Sequence, residues 1–293
     1  MKKKCKILIM VLCSHKNLNR LNAILSTWCQ KIDPDNQSVL LLGDNELELE
    51  KTFRAHSINL PRGVNFLNPH SGSLVYEESY WNLPKKIFNS FEFAFSKEWD
   101  FIFKCDDDTF LHIENLNKFV QNQINLHEIE SCFCGSAVKV GPENLHRVLP
   151  KTYIELIDSR PFIYPQGGMG YLMSRSVAEK IRVQMGLMNS AGAEDAIMGL
   201  CARRAGISLK DTPGIFYRRS QRIGHARGGI LNIDRNKELS SEDKKNLKVQ
   251  YNLDLEEEIK ITLNELKKNA CSAHWIYPQL MWLFFDELYC KTC

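Results

Sequence analysis

Residues 99–111 read WDFIFKCDDDTFL. An apolar run from Trp99 to Phe103 gives way to Lys104 and Cys105, and then to three consecutive carboxylates, Asp106, Asp107 and Asp108. Phe110 and Leu111 turn the chain apolar again. A short apolar run bounded by polar residues reads as a buried strand. Adjacent carboxylates repel one another, and a divalent cation is the most direct way to offset that repulsion. Open α/β sheets bind ligands beyond the carboxyl ends of their strands. The stretch therefore predicts a central strand with a metal and phosphate site at its tip. The competing reading is a solvated acidic turn.

Working outward, residues 7–13 (ILIMVLC) form an apolar run too short to span a bilayer, and they read as a first buried strand. Leu18, Leu21, Ile24, Leu25 and Trp28 follow at helical spacing, with Arg20 in the first turn, able to reach back over the strand end. Residues 39–42 read as a second strand, closed by Gly43 and Asp44. This alternation predicts an α/β fold with a mainly parallel sheet flanked by helices. Pro84 suits the first turn of a helix whose buried stripe is Ile87, Phe88, Phe91 and Phe95, with Lys85 and Lys86 near its start. After the acidic stretch, Leu116, Phe119 and Val120 mark another helix, and 132–138 a further strand.

Three glycines, Gly167, Gly168 and Gly170, crowd the stretch FIYPQGGMGYLM, where backbone can approach a ligand closely. Glu194 and Asp195 open a helix with Ile197, Leu200 and Cys201 inward, stopped by Gly206. Acids at a helix start commonly serve as cap and dipole partners. Arg218, Arg219, Arg222, His225 and Arg227 make a basic run that suits a phosphate or diphosphate. Residues 236–269 are charged and helical, and the end of the chain is aromatic, with Leu280, Leu283, Phe284 and Leu288 on one helix face. That face either packs back on the domain or meets a membrane surface. The division expected is 1–235 for the sheet domain and 236–293 for a helical extension.

Composition narrows the class. The chain has 293 residues, 44% hydrophobic and 25% charged, an ordinary globular balance. A net charge of +3 makes no case for nucleic acid. The ten cysteines are scattered, and several sit in apolar runs as small hydrophobes, so a reducing compartment is expected.

Three enzyme classes compete for an acidic strand tip. A phosphatase of the D-x-D-x-T type would need threonine at 110, which is Phe110. A two-metal nuclease would need scattered carboxylates and histidine pairs. A nucleotide-sugar glycosyltransferase needs an acidic strand end, a divalent ion on the diphosphate, a glycine-rich acceptor shelf and a separate carboxylate base, and each has a candidate here.

The ordered pieces RLNAILSTW, VLLLGDN, SYWNLPKK, FIFKCDDDTF, YPQGGMGYLMSR and AEDAIMGLC resemble glycosyltransferase family 31, the fringe-like and core-1-related β-1,3-glycosyltransferases of the GT-A fold. The resemblance runs from residue 7 to about 230. It implies a Rossmann-like nucleotide-sugar fold, a UDP-sugar donor, Mn²⁺ or Mg²⁺, and a glycan or glycolipid acceptor. By it, Asp108 and Asp106 ligate the metal with His225 as a late histidine ligand, and Asp107 contacts ribose or metal. Arg20, Asp44 and Lys85 hold the nucleotide, while Gly167, Gly168 and Tyr171 shape the acceptor side. Asp195 is the general base and Glu194 orients the site. The expected product is a β-1,3 linkage made by inversion, with a hexose of galactose type or an N-acetylhexosamine transferred. The alternative is a non-catalytic glycan-binding or membrane-recruiting module on the same fold. Without the family's anchor, a cytoplasmic protein with peripheral membrane contact through its tail is expected, or a Golgi-lumenal one if the chain is a shortened form.

Overall fold

The computed structural model describes residues 5–43, 51, 53, 55, 60–67, 83–125, 130–157, 160–188, 192–224, 240–251 and 253–290. Strand β1 (Ile7–Leu12) lies in the interior of a seven-stranded sheet and is buried throughout. Its successive side chains point to opposite faces: Ile7, Ile9 and Val11 enter one core, and Leu8, Met10 and Leu12 enter another. Both faces are covered, which is why the strand reads as continuously apolar rather than alternating. β2 (Gln37–Leu42) and β4 (Phe101–Asp106) flank it in parallel, and β3 (Val64–Leu67) extends the β2 edge.

β4 obeys the same alternation. Phe101, Phe103 and Cys105 join the first core and Ile102 the second, so Lys104 and Asp106 project on the Ile102 side. There the helix Glu194–Arg204 packs, with Ala196, Ile197, Leu200 and Cys201 buried in the second core. Gly199 lets the same helix lie close against the strand Phe162–Pro165, because a Cβ there would fall 2.3 Å from Tyr164 Cβ.

Two departures from a purely parallel sheet matter. The expected strand at 132–138 divides at Ser136 into β6 (Phe133–Gly135) and β7 (Ala137–Val140), and β7 pairs with β8 (Phe162–Pro165) in a separate ribbon. β9 (Tyr171–Ser174) then runs antiparallel between β4 and β6. Gly170 turns the chain into β9 at φ +85, and a Cβ would there lie 2.4 Å from the Phe103 ring. β10 (Lys210–Asp211) closes the sheet edge beside β6.

The residues expected as a C-terminal extension are helical at Ser241–Tyr251, Leu255–Lys268 and Pro278–Phe285. Between the last two helices, β12 (Ser272–Ala273) slots between β5 (Phe110–Leu111) and β11 (Phe216–Tyr217). Leu266, Cys271, Ile276, Met281 and Phe284 share the core of β1, so this part of the chain builds on the sheet domain directly. Leu283, which the spacing places on one face with Leu280 and Phe284, is exposed beside Trp282, while Leu280 and Phe284 are buried. Among the described residues no helix is long and apolar enough to cross a membrane.

Candidate active site

A cavity of about 440 Å³ opens at the carboxyl ends of β1 and β4. Its walls include Arg20, Asp106, Asp107, Asp108, Gly168, Asp195 and His274. The acidic run stays ordered because each carboxylate has a different environment. Asp107 is buried, with Oδ1 taking the Arg20 Nη1 donor at 2.9 Å and Oδ2 the Asn17 amide at 2.9 Å. Burial pushes Asp107 up to about 6, against the pull of Arg20. Arg20 also reaches Asp108 Oδ2 at 3.4 Å. Burial would lower its pKa, but the charges of Asp107 and Asp108 outweigh that and raise it, so the guanidinium stays charged. Its expected place beside a nucleotide thus resolves, in this structure, into a clamp on the acidic run.

Asp108 faces the C-terminal segment. Its carbonyl accepts the Ile276 N–H at 2.9 Å, and its Oδ1 lies 3.0 Å from His274 Nε2. His274 Nδ1 is buried and makes no hydrogen bond among the described residues. Donor atoms of Asp106, Asp108 and His274 all lie within 4.8 Å of one another. Two carboxylates and one imidazole, gathered at a strand tip where their charges converge, fit a divalent cation of the Mn²⁺ or Mg²⁺ kind. His225 and Asp44 lie outside the described residues, and the histidine the structure brings to the acids is His274. Nothing in the linear order marked it: it stands in an aromatic tail, and only the β12 pairing carries it to Asp108.

Asp106 bonds backward as well as outward. Lys104 Nζ donates to Asp106 Oδ1 at 2.8 Å and to Glu194 Oε2 at 2.8 Å. Burial alone would lower the Lys104 pKa, but the two carboxylates more than reverse it and keep the ammonium charged. The Tyr171 hydroxyl donates to Glu194 Oε1 at 2.5 Å, and burial with the Glu194 charge holds that phenol protonated. Tyr171 is fully buried and lies beneath the site, away from the acceptor side where it was expected. Lys104 was legible as an anomaly, a lysine inside an apolar strand, which can be buried only with a charged partner.

Asp195 opens the neighbouring helix. Its Oδ2 accepts the Gly167 N–H at 3.1 Å and its Oδ1 the Ala196 N–H at 2.8 Å. Burial, then the Glu194 charge, pushes it up to about 6, although the Gly167 N–H and Lys104 pull it down. Asp195 thus does accept a hydrogen bond at the start of its own helix while also facing the cavity. The Cβ position of Gly167 is already crowded by Glu194 Oε2 at 3.0 Å and Lys104 Nζ at 3.1 Å. At Gly168 a Cβ would meet the His274 ring at 2.0 Å, so the glycine is what lets the histidine in.

Lys85, expected at the nucleotide, is exposed, and its neighbour Lys86 lines the cavity instead. The phase of the helix Leu83–Phe95 decides this: Lys86 shares the inward side with Ser90 and donates to the Cys13 carbonyl at 3.0 Å. Trp275, also in the cavity wall, holds a left-handed backbone at φ 61. Hydrogen bonds on either side fix it, from His274 N–H to Ser220 Oγ at 2.9 Å and from Ile276 N–H to Asp108 O at 2.9 Å. Such a backbone costs a non-glycine residue roughly 1–2 kcal/mol and persists where its surroundings over-determine it, commonly at functional sites.

Residues 73–213 match a family model described as Galactosyltransferase. The human lactosylceramide 1,3-N-acetyl-beta-D-glucosaminyltransferase is 26% identical over 229 residues, covering 72% of this chain and 58% of its own length. The human UDP-GalNAc:beta-1,3-N-acetylgalactosaminyltransferase 1 is 25% identical over 220 residues, covering 72% of this chain and 64% of its own. The chain therefore spans less than two thirds of these curated relatives. The apo structure of the bifunctional glycosyltransferase WbbM aligns along 100% of this chain and 51% of its own, with 9% identity and a TM-score of 0.47. The acidic run, the glycine shelf and Asp195 fall inside the matched family segment, whereas Arg20 and His274 lie outside it.

Proposed function

Because residues 73–213 match the Galactosyltransferase family model, we propose that this chain is an inverting, metal-dependent β-1,3-glycosyltransferase of the glycosyltransferase 31 type. In this reading it moves a hexose or N-acetylhexosamine from a UDP-sugar to a glycan or glycolipid hydroxyl. The names of both relatives above point to N-acetylhexosamine. The observation that carries the reading is a single cavity holding a three-residue cation set and, apart from it, a partly buried carboxylate.

Asp106, Asp108 and His274 would hold the metal, which when bound supplies positive charge for the departing diphosphate. The remaining chemistry belongs to the chain. Arg20 and Asn17 lock Asp107, so the acidic run keeps its shape without spreading. Lys104 offsets Asp106 and Glu194 together, which ties the β4 tip to the first turn of the helix Glu194–Arg204 that carries Asp195. The acceptor oxygen attacks the anomeric carbon, the bond to the diphosphate breaks with its electron pair leaving on UDP, and the hydroxyl proton passes to the Asp195 carboxylate. At a pKa of about 6, Asp195 is unprotonated at neutral pH yet a stronger base than an ordinary aspartate.

The test is transfer from a panel of UDP-hexoses and UDP-N-acetylhexosamines to a β-galactoside, with Mn²⁺ or Mg²⁺. One donor is expected to react, chelation to stop the reaction, and Asp195→Asn to lower kcat by ~10²–10⁴-fold. Full activity in Asp195→Asn sinks the mechanism.

A further inference from the structure

Beside the proposed active site lies a second, wider cavity of about 790 Å³. Gln221 and Trp275 line both, so the two spaces meet at those side chains. The second cavity presents Tyr217 and Trp275 together with Arg218, Arg219 and Arg222. The arginines are arranged by the protein. Arg219 forms a two-point pair with Glu258, Nε to Oε2 at 2.8 Å and Nη2 to Oε1 at 3.0 Å. Arg222 Nη1 adds a third bond to the same carboxylate at 2.8 Å. Glu258 is buried, and the two guanidiniums draw its pKa below the usual range against the effect of its own burial. One carboxylate beneath two guanidiniums leaves that group with a net positive charge. Arg222 side-chain atoms remain 58% exposed. Arg218 is set by its own bonds, from Nε to Ser136 Oγ at 2.7 Å and from Nη2 to the Ala137 carbonyl, with Asp211 3.7 Å away.

Planar guanidinium forks bind phosphate and carboxylate oxygens in pairs. Aromatic faces with a polar edge suit the mixed surface of a sugar ring. The volume falls within the ~300–1,000 Å³ usual for small-molecule sites. On the reading that the adjoining cavity is a glycosyltransferase site, we infer that this second cavity is an acceptor subsite for a saccharide carrying an anionic group, phosphate or carboxylate. The sugar lies against Trp275 and Tyr217, the anion meets Arg222 and Arg218, and the hydroxyl to be glycosylated extends past Gln221 toward Asp195. Trp275 is then the hinge between donor and acceptor, which accounts for its enforced left-handed backbone.

The test uses the full chain with Mg²⁺ and UDP, observed by saturation-transfer NMR and calorimetry, with lactose, lactose 6-phosphate and inorganic phosphate as probes. Lactose 6-phosphate is expected to bind more tightly than lactose. Arg222→Gln and Arg218→Gln are each expected to weaken it by about tenfold, the change produced by about 1.4 kcal/mol, while affinity for UDP stays within about twofold. Equal binding of lactose and lactose 6-phosphate overturns the inference. So does lost UDP affinity in the arginine variants, which would assign them to the donor diphosphate. Inorganic phosphate displacing lactose 6-phosphate at equal concentration would reduce the cavity to a bare anion site and overturn the saccharide assignment. A wild-type chain that binds no UDP refutes the functional reading itself, and the inference falls with it; UDP binding without the anionic preference refutes the inference alone.

Discussion

Replacing Lys104 with methionine tests the electrostatic core of the site. The Lys104 ammonium makes two ion pairs of 2.8 Å, and its side chain is 2% exposed. The Glu194 partner is 5% exposed and the Asp106 partner 34%, so the Glu194 pair carries most of the energy and the other is discounted for solvent screening. Lys104→Met leaves the Glu194 carboxylate buried with only the Tyr171 hydroxyl. Breaking a buried pair from one side typically costs about 3–5 kcal/mol, a large part of the ~5–15 kcal/mol that stabilises a domain. The double variant Lys104→Met with Glu194→Gln removes the stranded charge and keeps an acceptor for Tyr171. It is therefore expected to be more stable than Lys104→Met alone by about 2 kcal/mol, the penalty of the orphaned charge. Urea unfolding of the wild type, both single variants and the double variant measures each term. A loss below about 1 kcal/mol in Lys104→Met, or strictly additive losses in the double variant, would refute the reasoning.

Three further outcomes follow from the same geometry. Gly168→Ala pushes the His274 ring away from Asp108, and Mn²⁺ affinity by calorimetry is expected to fall by about 10–100-fold while the fold persists; wild-type affinity would show that His274 is not held by that contact. The sign of the pH dependence comes from Asp195: its folded pKa is raised to about 6, and the base must be unprotonated, so kcat/KM falls as pH drops through that value. A profile flat down to about pH 4.5 would mean an ordinary carboxylate is at work. At Trp275, glycine relieves the left-handed backbone that alanine retains, so Trp275→Gly should be more stable than Trp275→Ala by about 0.5–1 kcal/mol in thermal unfolding; the reverse order would show that the backbone there is unstrained.

Much of the fold was legible because burial on both faces writes itself into sequence. β1 is a continuous apolar run and β4 is apolar from Phe101 to Phe103, and the helix phases of Leu116, Phe119 and Val120, and of Ile197, Leu200 and Cys201, came through unaltered. The antiparallel insertion of β9 did not, because its four residues are too few to show a period and its direction is set by the turn at Gly170. Within the site, Asp106, Asp107, Asp108 and Asp195 share one cavity as expected. Lys85 gave way to Lys86 because a helix phase is uncertain by one residue at its first turn. Tyr171 and Gly167 proved to support Glu194 and Asp195 from below. His274 could not be read at all, since its role depends on two short strand pairings distant in sequence.

The placement of β12 has a consequence for how the protein comes into being. β5 gains its partner, and Asp108 its histidine, only when the segment 272–276 arrives. A polypeptide is made from its amino terminus, so the acidic run, the glycine shelf and Asp195 all emerge before His274. The seven strands of the central sheet thus all emerge while the cation set is still one donor short. The finished site exists only once residues 272–276 have emerged and β12 has paired with β5.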